Sequence, residues 1–546
     1  IMSVSSGEAG ALLCGMLLGG SFGLSDEVCE AFADNGLAHL LSVSGTHFAL
    51  LAGFLLLALS PLPKKVRKLC VFLLLCGYAL LCGFRPAVLR AFCMSTVLLF
   101  GGSGAVRGSL LCITGLVLLC FSPAWLFDVG FQLSFGAVSG LIWLYPKLKA
   151  YYCCYLPTLL GEAMAVTTAA QLAVLPLLVG YFHQVPLVSL VSNILLVPVL
   201  ELAAILTILG LALESLTLLP LLGECLDFVL LGGESLIGFS DWLVKQVLVQ
   251  AKFLASLPFS TVVVGSLPLW SGIVYYFGLL LWADVPCLQF LRNRERRGFL
   301  ILTGTILLGT LLWKQLAPMP FTTYFLDVGQ GDCAVIVTPA RKVIVIDTGG
   351  LRNFDMGSRV LVPFLRSLGK SKVDALLLSH GDYDHTGGAE GLARNMKLEK
   401  IILPATESVS EAEKALLRKA KNSFVERASV GRKYELDGTV LEIVAVPRLK
   451  QGKQSKDEDV KKLMQAKSGN EGSTVVAVKH GEHSLLFTGD MNASRERLLN
   501  NLEHYDVLKV AHHGSKYSSS MKFLEQVQPK VAVISVGVGN SYEHPH

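Results

Sequence analysis

Long apolar runs fill the first part of the chain, at 48–59, 69–81, 87–100, 110–121, 129–144, 158–179, 187–213, 262–282 and 299–313. The pattern predicts a helical membrane domain. Several runs are shorter than the ~20 residues a perpendicular span needs. Short runs broken by Gly and Pro predict re-entrant or discontinuous helices, which membranes tolerate only where backbone is buried in protein or lines a water-filled cavity. The stretch 216–253 mixes apolar residues with Glu224, Asp227, Glu234, Asp241, Lys245 and Lys252, and reads either as an interfacial amphipathic helix or as a polar-lined span.

From Phe321 the texture changes. Short β-branched runs at 324–326, 333–337 and 343–346, a helical period at 358–368 and a further strand at 375–378 predict an α/β layered domain. The charged segment 450–470 lacks apolar periodicity and reads as a solvated loop. The expected division is a polytopic helical domain over 1–319 and an α/β domain over 320–546. The chain opens on Ile1, and its first apolar stretch lacks a basic flank and a cleavage site; it reads as a fragment without a signal peptide.

Composition sharpens this division. Of the 546 residues 52% are hydrophobic and 16% charged, a balance that suits lipid contact. Only 16 of the 47 Lys+Arg and 15 of the 42 Asp+Glu precede Phe321, leaving 31 and 27 in the shorter remainder. Net charges of about +1 and +4 are too modest to establish a nucleic-acid partner. Twelve of the 13 cysteines lie in the apolar part, so Cys333 has no disulfide partner within its own domain.

The chemistry concentrates in Ser379-His380-Gly381-Asp382-Tyr383-Asp384-His385-Thr386-Gly387-Gly388, which follows the expected strand 375–378. Such a turn can direct His380 and Asp382 to one metal ion and Asp384 and His385 to a second. Asp347-Thr348-Gly349-Gly350, Thr488-Gly489-Asp490 and Ala511-His512-His513-Gly514-Ser515 follow strands in the same way. Asp490 is suited to bridge two ions, and His512 or His513 to complete the set. Asp384, His385 and Asp490 are the expected catalytic centre.

These motifs resemble the metallo-β-lactamase fold, whose ligand pattern HxHxDH is followed by His, Asp and His. Here Asp382 replaces the second histidine. The next histidine has no clear counterpart, since His480 and His483 fall in a hairpin turn. More oxygen ligands favour Mn²⁺ or Mg²⁺ over Zn²⁺. Together with Leu326-Asp327-Val328-Gly329-Gln330-Gly331-Asp332 and the segment from Asn540 to His546, the set resembles the C-terminal domain of ComEC-like competence proteins. His39 to His47, Arg85-Pro86 with Arg90-Ala91, Asp128 to Phe135 and Asn193 to Pro198 resemble the membrane domain of that family. The resemblance implies a polytopic helical membrane domain joined to an αββα domain with two divalent ions, Mn²⁺ or Zn²⁺. It also implies further sequence at both ends.

What the resemblance implies for function is an inner-membrane channel for transforming single-stranded DNA, with an extracytoplasmic nuclease that degrades the other strand. Implied partners are a DNA receptor, a cytoplasmic helicase-type motor and a second copy of the chain. Arg85 and Arg90 are candidate phosphate contacts in the membrane, Ser515 and Lys516 in the hydrolase, and Asp128 and Gln132 candidate channel polar groups. Pairing of Asp128 with Arg90 as a purely structural device is the competing reading. Arg292, Arg294, Arg296 and Arg297 precede the last apolar run, and the positive-inside rule places them in the cytoplasm and the hydrolase outside. The alternatives are a DNA transporter with an idle hydrolase fold, and a membrane-anchored phosphodiesterase or lactamase. No Walker-type phosphate loop is present, so a separate motor is expected.

Overall fold

The computed structural model describes residues 4–20, 23–41, 45–83, 86–100, 107–216, 226–283, 293–406, 409–446, 472–499 and 502–546. Arg85, Glu224, Arg292 and the loop 450–470 lie outside them. The chain divides into two compact units, Ile1–Leu308 and Gly309–His546.

The first unit is helical apart from a two-stranded antiparallel ribbon of β1 (Gln184–Pro186) and β2 (Thr261–Val263). Among the described residues three helical segments are long and apolar enough to cross a membrane: Thr158–Phe182, Ser189–Ser215 and Asn293–Leu316. A bent pair, Val129–Trp143 and Tyr145–Tyr152, makes a fourth if counted as one span. Outward-facing Leu57, Phe121, Leu159 and Leu269 form a surface suited to lipid rather than water. Lipid supplies no hydrophobic drive between helices, so close approach depends on small residues. Gly140 meets this need: a Cβ there would lie 2.4 Å from the Ala169 carbonyl oxygen and 2.7 Å from the Ala173 Cβ.

Two apolar runs carry an irregularity, a change to strand in one and a local turn within a continuous helical span in the other. The run 262–282 begins as β2, because Gly265 at φ 76° and Pro268 break the chain before helix Leu269–Ala283 starts. The run 187–213 divides at Leu196 into helices Ser189–Leu195 and Val197–Leu216, with Pro198 in the first turn of the second. Helix Leu226–Ala255 is amphipathic. Its Val244, Val247, Leu248 and Ala251 are buried in a cluster with Ala9, Leu12, Leu13 and Met16 of helix Gly7–Leu18, while Lys245 and Lys252 pair with acidic residues.

The second unit holds two six-stranded sheets. One comprises β3 (Thr322–Phe325), β4 (Ala334–Val337), β5 (Val343–Ile346), β6 (Lys372–Leu377), β7 (Lys397–Leu403) and β8 (Phe424–Arg427), in that spatial order. The other runs β14 (Val531–Val533), β13 (Val507–Lys509), β12 (His483–Phe487), β11 (Val475–His480), β10 (Thr439–Ala445) and β9 (Lys433–Leu436). Central strands such as Ala334-Val335-Ile336-Val337 are apolar on both faces because both are covered. Alternation sends Ala334 and Ile336 inward against Ile443, Val476 and Phe487 of the facing sheet. Val335 and Val337 point outward onto Leu361, Leu365 and Leu392 of the helical layer. Phe523 and Val527 cover the other outer face. The result is four layers, αββα.

Candidate metal centre

The site forms where strands end. β5 ends at Asp347, β6 at Ser379 and His380, the β12 hairpin at Asp490, and β13 leads into His512 and His513. Loops this close need residues without a Cβ: one on Gly350 would lie 1.8 Å from the Tyr383 carbonyl oxygen, and one on Gly331 2.3 Å from that of Asp384. Asp347, His512 and His513 adopt left-handed backbone at φ 57°, 50° and 54°, a cost of about 1 kcal/mol each that tends to persist at functional sites. The His512 turn is held by its N–H to the Gly489 carbonyl (3.1 Å), and its own carbonyl accepts the Ser515 N–H (2.9 Å).

Asp490 lies at the middle. Its Oδ1 is 3.1 Å from His385 Nε2, and its Oδ2 is 3.7 Å from His513 Nε2 and 3.9 Å from both His380 Nε2 and His512 Nε2. Asp384 Oδ2 approaches His513 Nε2 at 3.3 Å, and Asp382 Oδ2 approaches His380 Nε2 at 3.5 Å. One ligand atom each from Asp384, His385, Asp490 and His513 fit within 4.8 Å of one another. His380, His385, His513 and Asp490 are buried, whereas Asp382, Asp384 and His512 are partly exposed and open the cluster to solvent.

Buried polar atoms are normally hydrogen-bonded, and unpaired ones call for an explanation. Here His380 Nε2, His385 Nε2, His513 Nε2 and Asp490 Oδ1 are all buried and face only one another and the neighbouring motif carboxylates, in ion-pair contact rather than in well-formed hydrogen bonds. The far sides of two rings are occupied. His385 Nδ1 bonds Asp347 Oδ2 at 2.9 Å, and His513 Nδ1 bonds the Ser535 carbonyl at 2.9 Å. A ring nitrogen donating outward turns the other nitrogen's lone pair into the cluster, as a metal ligand requires. Imidazoles and carboxylates converging in this way fit divalent metal ions.

Electrostatics agree. Burial alone would lower the His513 pKa, but hydrogen bonds to Asp332 and Asp384 and the charge of Asp490 carry it up to about 9. Burial would raise Asp490, yet His385, His380 and His513 hold it well below the usual carboxylate range. Clustered negative charge in the metal-free protein is therefore held by protons on imidazole, which divalent ions displace.

The motif residues His380, Asp382, Asp384, His385, Asp490, His512 and His513 are thus brought together. His480 and His483 are not: they lie at the far end of the β11–β12 hairpin, with His480 stacked on Phe321 at 4.6 Å. At the near end Ser473 Oγ accepts the Asp490 N–H at 3.0 Å, so no third imidazole joins His380 and Asp382. Ser515 is buried and bonded within its own loop, while Lys516 Nζ lies over the Tyr517 ring at 5.3 Å.

Three residues of this site carry no role in the sequence reading. Asp347 accepts the Ser379 N–H and Oγ–H at 2.7 Å each while holding His385. Asp332, buried, accepts from Lys509 Nζ at 2.7 Å and faces His513 Nδ1 at 3.5 Å. The strand ends Asp347-Thr348-Gly349-Gly350 and Gly331-Asp332 offered a signal for the two acids. Lys509 offered none, being one lysine at the end of a short strand.

In the first unit Arg90 Nη1 is 3.7 Å from Asp128 Oδ1, and that oxygen also accepts the Phe131 N–H at 2.7 Å, capping helix Val129–Trp143. Gln132 donates to the Leu126 carbonyl and accepts from Tyr181 Oη, both at 2.9 Å. Gln132 also lines a cavity of about 420 Å³ with Phe131, Phe135, Trp143, Leu177 and Tyr276.

The competence protein family model matches residues 16–286, and the metallo-beta-lactamase superfamily model matches residues 326–538. ComE operon protein 3 of Bacillus subtilis is 30% identical over 97% of this chain and 67% of its own length. Competence protein ComA of Neisseria gonorrhoeae is 28% identical over 98% of this chain and 70% of its own. Recombination protein 2 of Haemophilus influenzae is 32% identical over 46% of this chain and 28% of its own.

Proposed function

Since the chain belongs to the competence protein family and carries a metallo-β-lactamase domain, we propose that it is a multi-pass inner-membrane conduit for transforming DNA whose second unit is a metal-dependent nuclease. The observation that carries the nuclease reading is the convergence of four buried ligand-type atoms that face one another and no other hydrogen-bond donor or acceptor outside the cluster: His380 Nε2, His385 Nε2, His513 Nε2 and Asp490 Oδ1.

His380, Asp382 and Asp490 would hold one ion, and Asp384, His385, Asp490 and His513 a second, with His512 at the mouth. Two bound ions would supply a hydroxide nucleophile near neutral pH and neutralise charge developing on a phosphodiester. Asp347 and Ser379 fix the His385 ring, and Ser535 fixes that of His513. The partly exposed Asp382, Asp384 and His512 leave one side open to substrate, and Lys516, exposed three residues after His513, would meet phosphate.

Arg294, Arg296 and Arg297 lie in the first turns of helix Asn293–Leu316, ahead of its apolar stretch, and support a cytoplasmic start for it, hence an extracytoplasmic nuclease that degrades the strand not imported. A DNA receptor, a helicase-type motor and self-association belong to the same proposal. Metal analysis and a nuclease assay on the full chain in detergent with Mn²⁺ test it. Two bound ions and cleavage lost in Asp384→Ala are expected; fully metallated protein that leaves phosphodiesters intact defeats the nuclease reading.

A second reading has one observation in its favour. Ser473 Oγ is bonded at the edge of the His380 side, where a third imidazole would complete one ion's ligands. An idle hydrolase fold that only binds or gates DNA would follow. Wild-type DNA uptake by Asp384→Ala cells would support that reading, and loss of uptake would reject it.

A further inference from the structure

Between Phe321 and His546, four tyrosine or phenylalanine rings are strongly exposed among the described residues: Tyr383 (48%), Phe424 (58%), Tyr517 (68%) and Tyr542 (65%). Phe424 lies on β8, at the edge of its sheet, beneath Lys400. The other three all belong to the loops of the metal centre. Isolated exposed apolar residues need no explanation, but their concentration at one mouth does.

Each ring is positioned by its surroundings. Tyr383 lies between the candidate ligands Asp382 and Asp384, its ring against Gly387, where a Cβ would come within 2.8 Å of Tyr383 Cε1. Tyr517 follows His513 by four residues and carries Lys516 Nζ over its ring at 5.3 Å. The loops bearing these two meet where Asp384 Oδ2 approaches His513 Nε2 at 3.3 Å. Tyr542 stacks on His544 at 5.7 Å, and His544 in turn lies 5.8 Å from the His512 ring. Asn540 holds that turn, its Oδ1 accepting the Tyr542 and His544 N–H groups at 3.1 and 3.0 Å and its Nδ2 donating to the His544 carbonyl at 2.8 Å.

A phosphodiester alone needs cations and donors, not phenol rings. Flat aromatic faces beside a phosphate site match nucleobases, which stack on them irrespective of sequence. Bases inside a duplex are stacked on one another and cannot reach such rings. We propose that Tyr383, Tyr517 and Tyr542 form a base-stacking rim through which the metal centre takes an unpaired DNA strand. The inference rests on the nuclease reading and adds its substrate class: single-stranded or frayed DNA.

The test uses the full chain in detergent with Mn²⁺ and three labelled probes: a single-stranded oligonucleotide, its blunt duplex, and a strand of the same length made of abasic residues. Wild type is expected to cleave the single strand with kcat/KM at least about tenfold above the other two. Tyr517→Ala and Tyr383→Ala each lose about tenfold on the single strand and nothing on the abasic strand, while Tyr517→Phe keeps wild-type behaviour. Metal content equal to wild type shows that the variants remain folded. Equal cleavage of all three probes, or equal loss on base-bearing and abasic strands, overturns the rim. If wild type cleaves nothing, the nuclease reading fails separately, and fluorescence anisotropy of the single strand decides the rim. Weaker binding by Tyr517→Ala then sustains it, and unchanged binding ends it.

Discussion

Unpaired buried polar atoms are scattered through both units, Thr323 Oγ1 and Glu413 Oε1 of the second among them, but among the described residues they converge on one point in the second unit alone. In the first, unpaired buried atoms such as Arg90 Nε, Thr96 Oγ1 and Gln184 Oε1 are scattered over separate elements. Larger polar groups there close on each other: Asn35 bonds the Ala31 and Ala251 carbonyls and Ser192, and Asp128 faces Arg90 while capping a helix. In the second, three imidazole nitrogens and a carboxylate oxygen are left open around one point. Scattered vacancies are faults of packing, whereas convergent ones with their far sides anchored mark a ligand site.

The strongest way to break this contrast is Asp490→Ala. Metal-dependent cleavage is expected to fall to background and bound metal to drop, while detergent-solubilised protein keeps its helical circular dichroism. Retained cleavage would show that the cluster is not the catalytic centre. Next is Lys509→Met, which leaves the Asp332 carboxylate buried beside His513 without its cation; a loss of about 3–5 kcal/mol is expected in denaturant unfolding of the second unit. Adding Asp332→Asn is expected to restore most of that loss.

A packing change in the first unit provides the counterpart. Gly140→Leu drives a side chain into Ala169 and Ala173 and is expected to cost about 1–3 kcal/mol in detergent thermal unfolding without altering metal content. Altered metal content would show that the units are coupled. Proton competition sharpens the other side. In metal-free protein the surrounding carboxylates push His513 up to about 9 and His385 well above the ordinary imidazole range, so an ion that takes both must displace both protons near neutral pH. Apparent metal affinity is expected to rise with pH from 7 towards 9 by about a hundredfold per unit while both rings are protonated, as calorimetry across pH would show; no rise would show that neither proton competes with the ion. The smallest effect is at Asp128: loss of its cap in Asp128→Ala is expected to cost about 1 kcal/mol, and Asp128→Asn less. DNA uptake lost in both, with stability intact, would make it a channel residue rather than a cap.

Much of this was legible in advance. The strand-like runs 333–337 and 343–346 match β4 and β5 nearly residue for residue, because strands apolar on both faces announce themselves. The motif of His380, Asp382, Asp384 and His385 was legible because four potential ligands within six positions rarely serve packing. Less legible was the apolar run broken at Gly265, where a left-handed backbone residue and the following Pro268 overrule a stretch of hydropathy.

By itself the sequence determined the two solvents, the layered α/β class and the motif ligands, since these depend on composition and on residues near each other in the chain. The sequence already set His480 and His483 in a hairpin turn; only the tertiary structure decided that this turn lies at the end away from Asp490, and that Lys509 reaches Asp332 across 177 positions. Strand direction and sheet order set those distances. The pairing of β11 with β12 sends its turn to one end and Asp490 to the other, and parallel pairing of β12 with β13 carries Lys509 and the two histidines to that same end.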